Sequence, residues 1–194
     1  RLAKIMLPLA IVAVPNTTLG ASTTKEGHTL WQPTPRSEWR EMSADRPDFT
    51  ESPYTVDAGA FQLEMSFVDF SRTGDAKSTA VAPINFKVGL RHDMDIQFVI
   101  DPYVISDDGI EKFDGVGDTQ IRLKMNLWGN DSSGDAFAVM PFIQLPTSRN
   151  KIGSTEVEGG LILPYATTVS DSIGLGLMAE VDLIHDDLGD QYEI

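Results

Sequence analysis

From residue 60 onward the chain alternates large apolar and polar residues with a period of two, in one segment after another. Phe61, Leu63, Met65 and Phe67 fall on one parity, with Gln62, Glu64 and Ser66 on the other. Ile84, Phe86, Val88 and Leu90 oppose Asn85, Lys87 and Gly89. Met94, Ile96, Phe98 and Ile100 oppose Asp95, Gln97 and Val99, and Ile121, Leu123, Met125 and Leu127 oppose Gln120, Arg122, Lys124 and Asn126. Successive side chains of an extended chain point to opposite faces, so each segment predicts a strand with one apolar face. All 16 positions on that face are large and apolar in a chain that is 41% hydrophobic. Random placement would give this with a chance on the order of one in a million. Three noisier strands follow, carried by Phe137–Leu145, Leu161–Tyr165 and Ile173–Leu183. Pro141 cannot donate to a ladder, which predicts a bulge or local gap in the first of these.

The connections narrow the class. Long loops are expected at about Ser71–Thr79, Pro102–Gly117 and Pro146–Glu156, and again from His185. Short turns are expected at Arg91–Asp93, Gly129–Asp135 and near Thr168–Asp171. Long and short alternate, as in outer-membrane barrels with short periplasmic turns and longer extracellular loops. No apolar run approaches the roughly 20 residues of a membrane-spanning helix. Barrel strands average to neutral hydropathy, and the mean hydropathy here is −0.13. The expected fold is all-β, an antiparallel up-and-down transmembrane β-barrel with about seven strands visible. A soluble β-sandwich or lipocalin-like barrel would also have an apolar face, turned inward, without requiring the loop alternation.

The ends read differently. Arg1 and Lys4, the apolar run Ile5–Val14 and the small residues near Gly20 and Ala21 predict an export signal over 1–21. Its removal, with Arg1 and Lys4 and no acid, takes the net charge from −14 to −16. Residues 22–59 carry Pro33, Pro35, Pro47 and Pro53 and no apolar period, so an extended periplasmic segment is expected, with at most a helical turn near Ser37, the alternative being a disordered leader. Residues 60–194 would then be the N-terminal part of the barrel, in a chain whose ends predict a fragment.

Ala44 to Glu64 (Ala-Asp-Arg-Pro-Asp-Phe-Thr-Glu-Ser-Pro-Tyr-Thr-Val-Asp-Ala-Gly-Ala-Phe-Gln-Leu-Glu) resembles the opening motif of a bacterial outer-membrane β-barrel transporter family named for the meta-pathway of phenol degradation. Gly115–Lys124, Glu158–Pro164 and Leu175–Asp182 are similar to later stretches of it, so the resemblance covers roughly 44 to 182. It implies a barrel of about ten or twelve strands acting as an outer-membrane channel or transporter, and it transfers no catalytic residue. The phenol label is not a substrate assignment.

Little else in the sequence suggests chemistry. There is no Cys, which excludes disulfides, thiolate metal sites and thiol nucleophiles, and a net charge of −14 argues against nucleic acid. His28, His92 and His185 fall in the leader, a turn and a loop without metal-ligand spacing, so no metal and no cofactor is expected. Asp107–Asp114 is acidic but lacks EF-hand spacing; a solvated loop is the plain reading, with weak divalent binding the other. Asn130–Asp135 has turn composition, with no His placed to serve Ser132 or Ser133. Gly115-Val-Gly117 precedes a strand, not the helix N-terminus of a phosphate loop.

The functional candidates are therefore polar residues on the barrel-facing parity: Glu64, Lys87, Asp95, Gln97, Arg122, Lys124, Glu180 and Asp182. They would either set the field in a pore or form a self-neutralising network that fills a narrow barrel. Asp45, Arg46, Asp48 and Glu51 are candidates for a periplasmic plug pairing with those charges, or for a lead-in that fixes the first strand's register. The expected function is passage of small molecules, aromatic or hydrophobic ones among them, across the bacterial outer membrane, without covalent chemistry. The expected partners are outer-membrane lipid, lipopolysaccharide and the solute. Three alternatives stand beside it: a structural or adhesion barrel with a filled lumen, a soluble periplasmic β-barrel binding protein, and an outer-membrane enzyme with a site at the loop rim.

Overall fold

A computed structural model describes residues 9–12, 25–45, 50–131, 134–149, 152–170, 173–185 and 192–193. The strands are β1 (Leu9–Val12), β2 (Phe61–Met65), β3 (Val68–Thr73), β4 (Ala76–Val81), β5 (Ile84–Arg91), β6 (Met94–Ile100), β7 (Tyr103–Asp107), β8 (Lys112–Gly115), β9 (Thr119–Trp128), β10 (Ala136–Leu145), β11 (Glu158–Ser170), β12 (Ile173–His185) and β13 (Tyr192–Glu193). All pairing is antiparallel.

The seven expected strands are β2, β5, β6, β9, β10, β11 and β12. They form a meander in sequence order, β2-β5-β6-β9-β10-β11-β12, with β1 on the far edge beside β12. The all-β antiparallel class is as expected, and the sheet is open rather than closed into a barrel. In β1, Leu9 lies opposite Leu177; the rest of the expected export signal lies outside the described residues. Pairing between β9 and β10 lapses at Met140 and Pro141 and resumes at Phe142 in the same register, so the gap sits where Pro141 has no N–H to give.

Two of the expected long loops are largely strand. Residues 68–81 form the hairpin β3–β4 around Gly74-Asp75, and 103–115 form β7–β8. Together they make a four-stranded sheet, β3-β4-β7-β8, which prolongs β2, β5, β6 and β9 in the same order. The interruptions fall at one level: Ser66-Phe67, Ala82-Pro83, Asp101-Pro102 and Val116–Asp118. Ala82 has a positive φ of 52°, and Pro83 and Pro102 cannot donate, so the ladder breaks there without losing register. Composition misled the sequence reading at these hairpins. Ser, Thr, Gly, Asp and Lys favour turns, but backbone groups this far along a strand are satisfied most readily by continuing the ladder.

Burial runs opposite to that of a soluble sheet. Lys87, Lys124, Gln97, Asn85 and Asp95 are each 2% exposed or less. Phe61 and Leu63 are 65% exposed and Met65 52%. On β2, β5, β6 and β9 the polar parity is thus the covered one. Moving charge out of water is unfavourable unless each group is paired, so the covering must supply partners.

Candidate functional site

The covering comes from the N-terminal segment. Residues 25–57 hold two single helical turns, Lys25–Gly27 and Arg36–Glu38, the second at the expected Ser37. Among its described residues the rest forms only isolated bridges at Thr29, and its backbone bonds go to its own turns, to strand ends and to side chains. Leu30 N–H donates to Leu90 at 2.8 Å, Gly59 N–H to Gly89 at 2.8 Å and Gly89 N–H to Ala60 at 3.0 Å. This close approach requires glycine: a Cβ on Gly89 would lie 1.9 Å from the Asp57 carbonyl oxygen.

Asp45 is the centre of the covered face. Its carboxylate accepts from Lys87, from Lys124 at 3.0 Å and from Ser52 N–H at 2.7 Å. Its own N–H donates to Glu64 at 3.0 Å, and Glu64 pairs in turn with Lys87. Burial pushes the Asp45 carboxyl up, but the Lys124 and Lys87 ammoniums outweigh it and hold the group well below the usual carboxylate range. Gln97 donates to Asp95 at 2.9 Å, and Val56 N–H donates to the other Asp95 oxygen at 2.9 Å. Asn126 donates to the Pro53 carbonyl at 2.9 Å. Glu51 pairs with Arg122, which also donates to Gln120. Burial raises the Glu51 carboxyl above its ordinary value, against the pull of Arg122.

A second node ties the segment to two turns. Arg40 pairs with Asp131 at 2.7 Å and donates to the carbonyls of Thr55 and His92. Lys25 bridges Asp57 at 3.1 Å and Asp131 at 3.2 Å. Asn130 donates to Thr55 at 2.7 Å and accepts from its N–H at 3.0 Å. Burial works to raise the Asp131 carboxyl, and Arg40 and Lys25 bring it below its ordinary value.

Five of the eight strand candidates, Glu64, Lys87, Asp95, Gln97 and Lys124, are buried beneath the segment. Arg122 meets Glu51. Glu180 and Asp182 lie half-buried on β12, two residues apart on one parity, and Asp182 Oδ1 is buried without a hydrogen-bond partner. Of the segment candidates, Asp45 and Glu51 reach strand cations, while Arg46 and Asp48 lie outside the described residues. Asp107 and Asp108 cap their own turn, accepting from the N–H groups of Gly109, Ile110 and Glu111. Among the described residues, no group of three His, Asp or Glu is arranged to hold a metal ion.

Sequence reasoning missed two sets. Arg40, Asp57, Asn130 and Asp131 have no periodic signal, and their partners are 15 to 91 residues away. The other set is apolar. On β10 to β12 the covered parity carries Met140, Phe142, Ile162 and Met178, which pack as one cluster. The alternation places them on the barrel-facing side, but a search for polar residues there passes over them. The covered face is thus divided, charged across β2-β5-β6-β9 and apolar in the cluster on β10-β11-β12, with Glu180 and Asp182 further along β12 on the parity of Met178. Register sets the join: Phe142 lies opposite Arg122, and Met140 falls beside Lys124.

No curated protein and no solved structure matches the chain. A family model described as "Putative MetA-pathway of phenol degradation" matches residues 44–193. The match begins at the segment that carries Asp45 and runs through all seven meander strands, and the chain belongs to that family.

Proposed function

We propose that this chain builds the N-terminal part of an outer-membrane β-barrel channel for small, largely apolar molecules, with residues 25–57 seated in its periplasmic mouth. The observation that carries the reading is the inverted burial: Lys87 and Lys124 are 2% and 0% exposed, while Phe61 and Leu63 are each 65% exposed. A soluble barrel has the opposite arrangement. A barrel in lipid has this one, with an outward apolar band and a polar interior. The apolar cluster Met140, Phe142, Ile162 and Met178 supports apolar solutes, since it offers a dry wall inside an otherwise charged interior.

The second reading, a filled structural or adhesion barrel, draws on the network of buried ion pairs beneath the segment. One experiment tests the barrel that both readings share, and a second separates them. Outer-membrane fractions run on a denaturing gel with and without boiling should show a heat-dependent mobility shift; a soluble periplasmic protein with no shift would refute the barrel. Deleting 45–53 should raise conductance in planar bilayers. Unchanged conductance with an intact gel shift would refute the plug and favour the filled barrel.

A further inference from the structure

The geometry points to Lys87 and Lys124 as a binding site for the carboxylate of an aromatic or aliphatic acid, a site that Asp45 occupies from within the chain. The inference deepens the channel reading and rests on it for the route by which a solute arrives.

Four observations converge on this site. First, Lys87 and Lys124 are 2% and 0% exposed, come from different strands and both reach one carboxylate oxygen, Asp45 Oδ2. A carboxylate seated on two buried ammoniums shows that the pocket fits that group. Second, the seated group belongs to a segment, not to the sheet. Asp45 reaches the lysines over 42 and 79 residues of sequence, so the site itself does not depend on Asp45 being covalently near.

Third, Lys124 depends on this carboxylate. On the charged half of the face, Lys87, Lys124 and Arg122 stand against Glu64 and Asp95, and the segment adds Asp45 and Glu51. Glu51 pairs with Arg122 and Glu64 with Lys87, so removal of Asp45 takes the carboxylate partner from Lys124, and a buried charge without a partner is strongly unfavourable.

Fourth, the apolar cluster begins at the next strand. Met140 falls beside Lys124, and Met140 lies opposite Ile162. Neighbouring strands are about 4.8 Å apart, so a ring whose carboxylate sits on Lys124 would displace the chain that now leaves Met140 and Ile162 at 0% and 2% exposed, and take its place over them. Ile162 in turn lies opposite Glu180, with Asp182 two residues on. Those carboxylates would repel the reverse orientation. A neutral phenol gains the apolar wall only, whereas an aromatic acid gains both halves.

The test uses the full chain in detergent, titrated by calorimetry with benzoate and with benzyl alcohol, its neutral counterpart. In Asp45→Asn the seated carboxylate is gone, and benzoate should bind about tenfold tighter or more than to the wild type, the order of one charge-assisted hydrogen bond. Benzyl alcohol should not change. Adding Lys124→Met should cancel the gain. Equal gains for both probes, or none in a variant that keeps its heat shift, would overturn the site. If Asp45→Asn loses the heat shift, benzoate at high concentration should restore it by refilling the pocket, and failure to do so also overturns the site. Permeation into liposomes is read separately: benzoate binding without permeation would refute the channel and support the site, and permeation that treats benzoate and benzyl alcohol alike would refute the site.

Discussion

Gly89 offers a sharp test of whether the N-terminal segment is built onto the sheet or merely lies near it. A Cβ at Gly89 would fall 1.9 Å from the Asp57 carbonyl oxygen, 2.5 Å from its carbon and 2.7 Å from the Val56 oxygen. All three neighbours are backbone, and real Cβ contacts do not come under 3.0 Å, so Gly89→Ala must push the segment back by more than an ångström. That displacement breaks the paired bonds between Gly59 and Gly89 and between Gly89 and Ala60. It also strains the Val56 bond to Asp95 and the Asp57 bridge to Lys25. Two neutral hydrogen bonds at about 1 kcal/mol each and one charge-assisted bond at about 1.5–3 kcal/mol give a loss of roughly 3–5 kcal/mol in segment docking. The assay is protease cleavage within 25–57 on the folded, detergent-solubilised protein, with Gly27→Ala as the control, because nothing lies within 4 Å of a Cβ there. Cleavage should rise by at least about a hundredfold in Gly89→Ala, following the open population. A variant cleaved as slowly as the control, with its heat shift intact, would refute the close approach.

Three further outcomes are expected. Lys124→Met leaves Asp45 with Lys87 alone and should lower unfolding stability by about 3 kcal/mol in denaturant titration; a change under about 1 kcal/mol would show the triad to be dispensable. The Asp45 carboxyl is depressed in the folded protein, so its stabilisation is complete above the unfolded value of about 3.9 and is lost as pH falls through the lower folded value. Protease protection of the segment should therefore hold from neutral pH to about 4 and fail only in stronger acid, whereas loss near pH 6 would contradict it. Asp131→Ala removes partners of Arg40 and Lys25 at a partly exposed site, and should cost about 1 kcal/mol of segment docking in the same assay, well below the loss from Gly89→Ala.

The meander was legible because the covered and the outward faces of the sheet impose opposite demands on alternate residues, and β2, β5, β6 and β9 obey with few exceptions. The extension strands were not. In β3 and β4, Ser71, Arg72, Lys77 and Ser78 meet water on both faces, so no periodicity is enforced and only the ladder holds the chain extended. At the site, the charges on the strands could be read from parity. Their partners could not, because Asp45 to Lys124 and Asn130 to Thr55 are tertiary contacts of a segment whose own backbone follows no repeat. The apolar cluster lay in plain view at Met140 and Phe142, but it was hidden by the assumption that an interior must be polar.

The path of the N-terminal segment also constrains the order of assembly. Each sheet neighbour in the meander is the next strand in sequence, so the hairpins can form by local, fast steps. The segment precedes all seven strands; its first anchors, Glu64, Lys87 and Gly89, lie on the first two, and Asp95, Arg122, Lys124 and Asp131 complete the set from the third strand onward. In the barrel proposed above, a side entrance exists only while the sheet is still open. The segment should therefore dock on the half-built wall, before the last strand finds β2. In that barrel Asp45 would act as a chaperone in cis, covering lysines that would otherwise stand unpaired while the wall is incomplete.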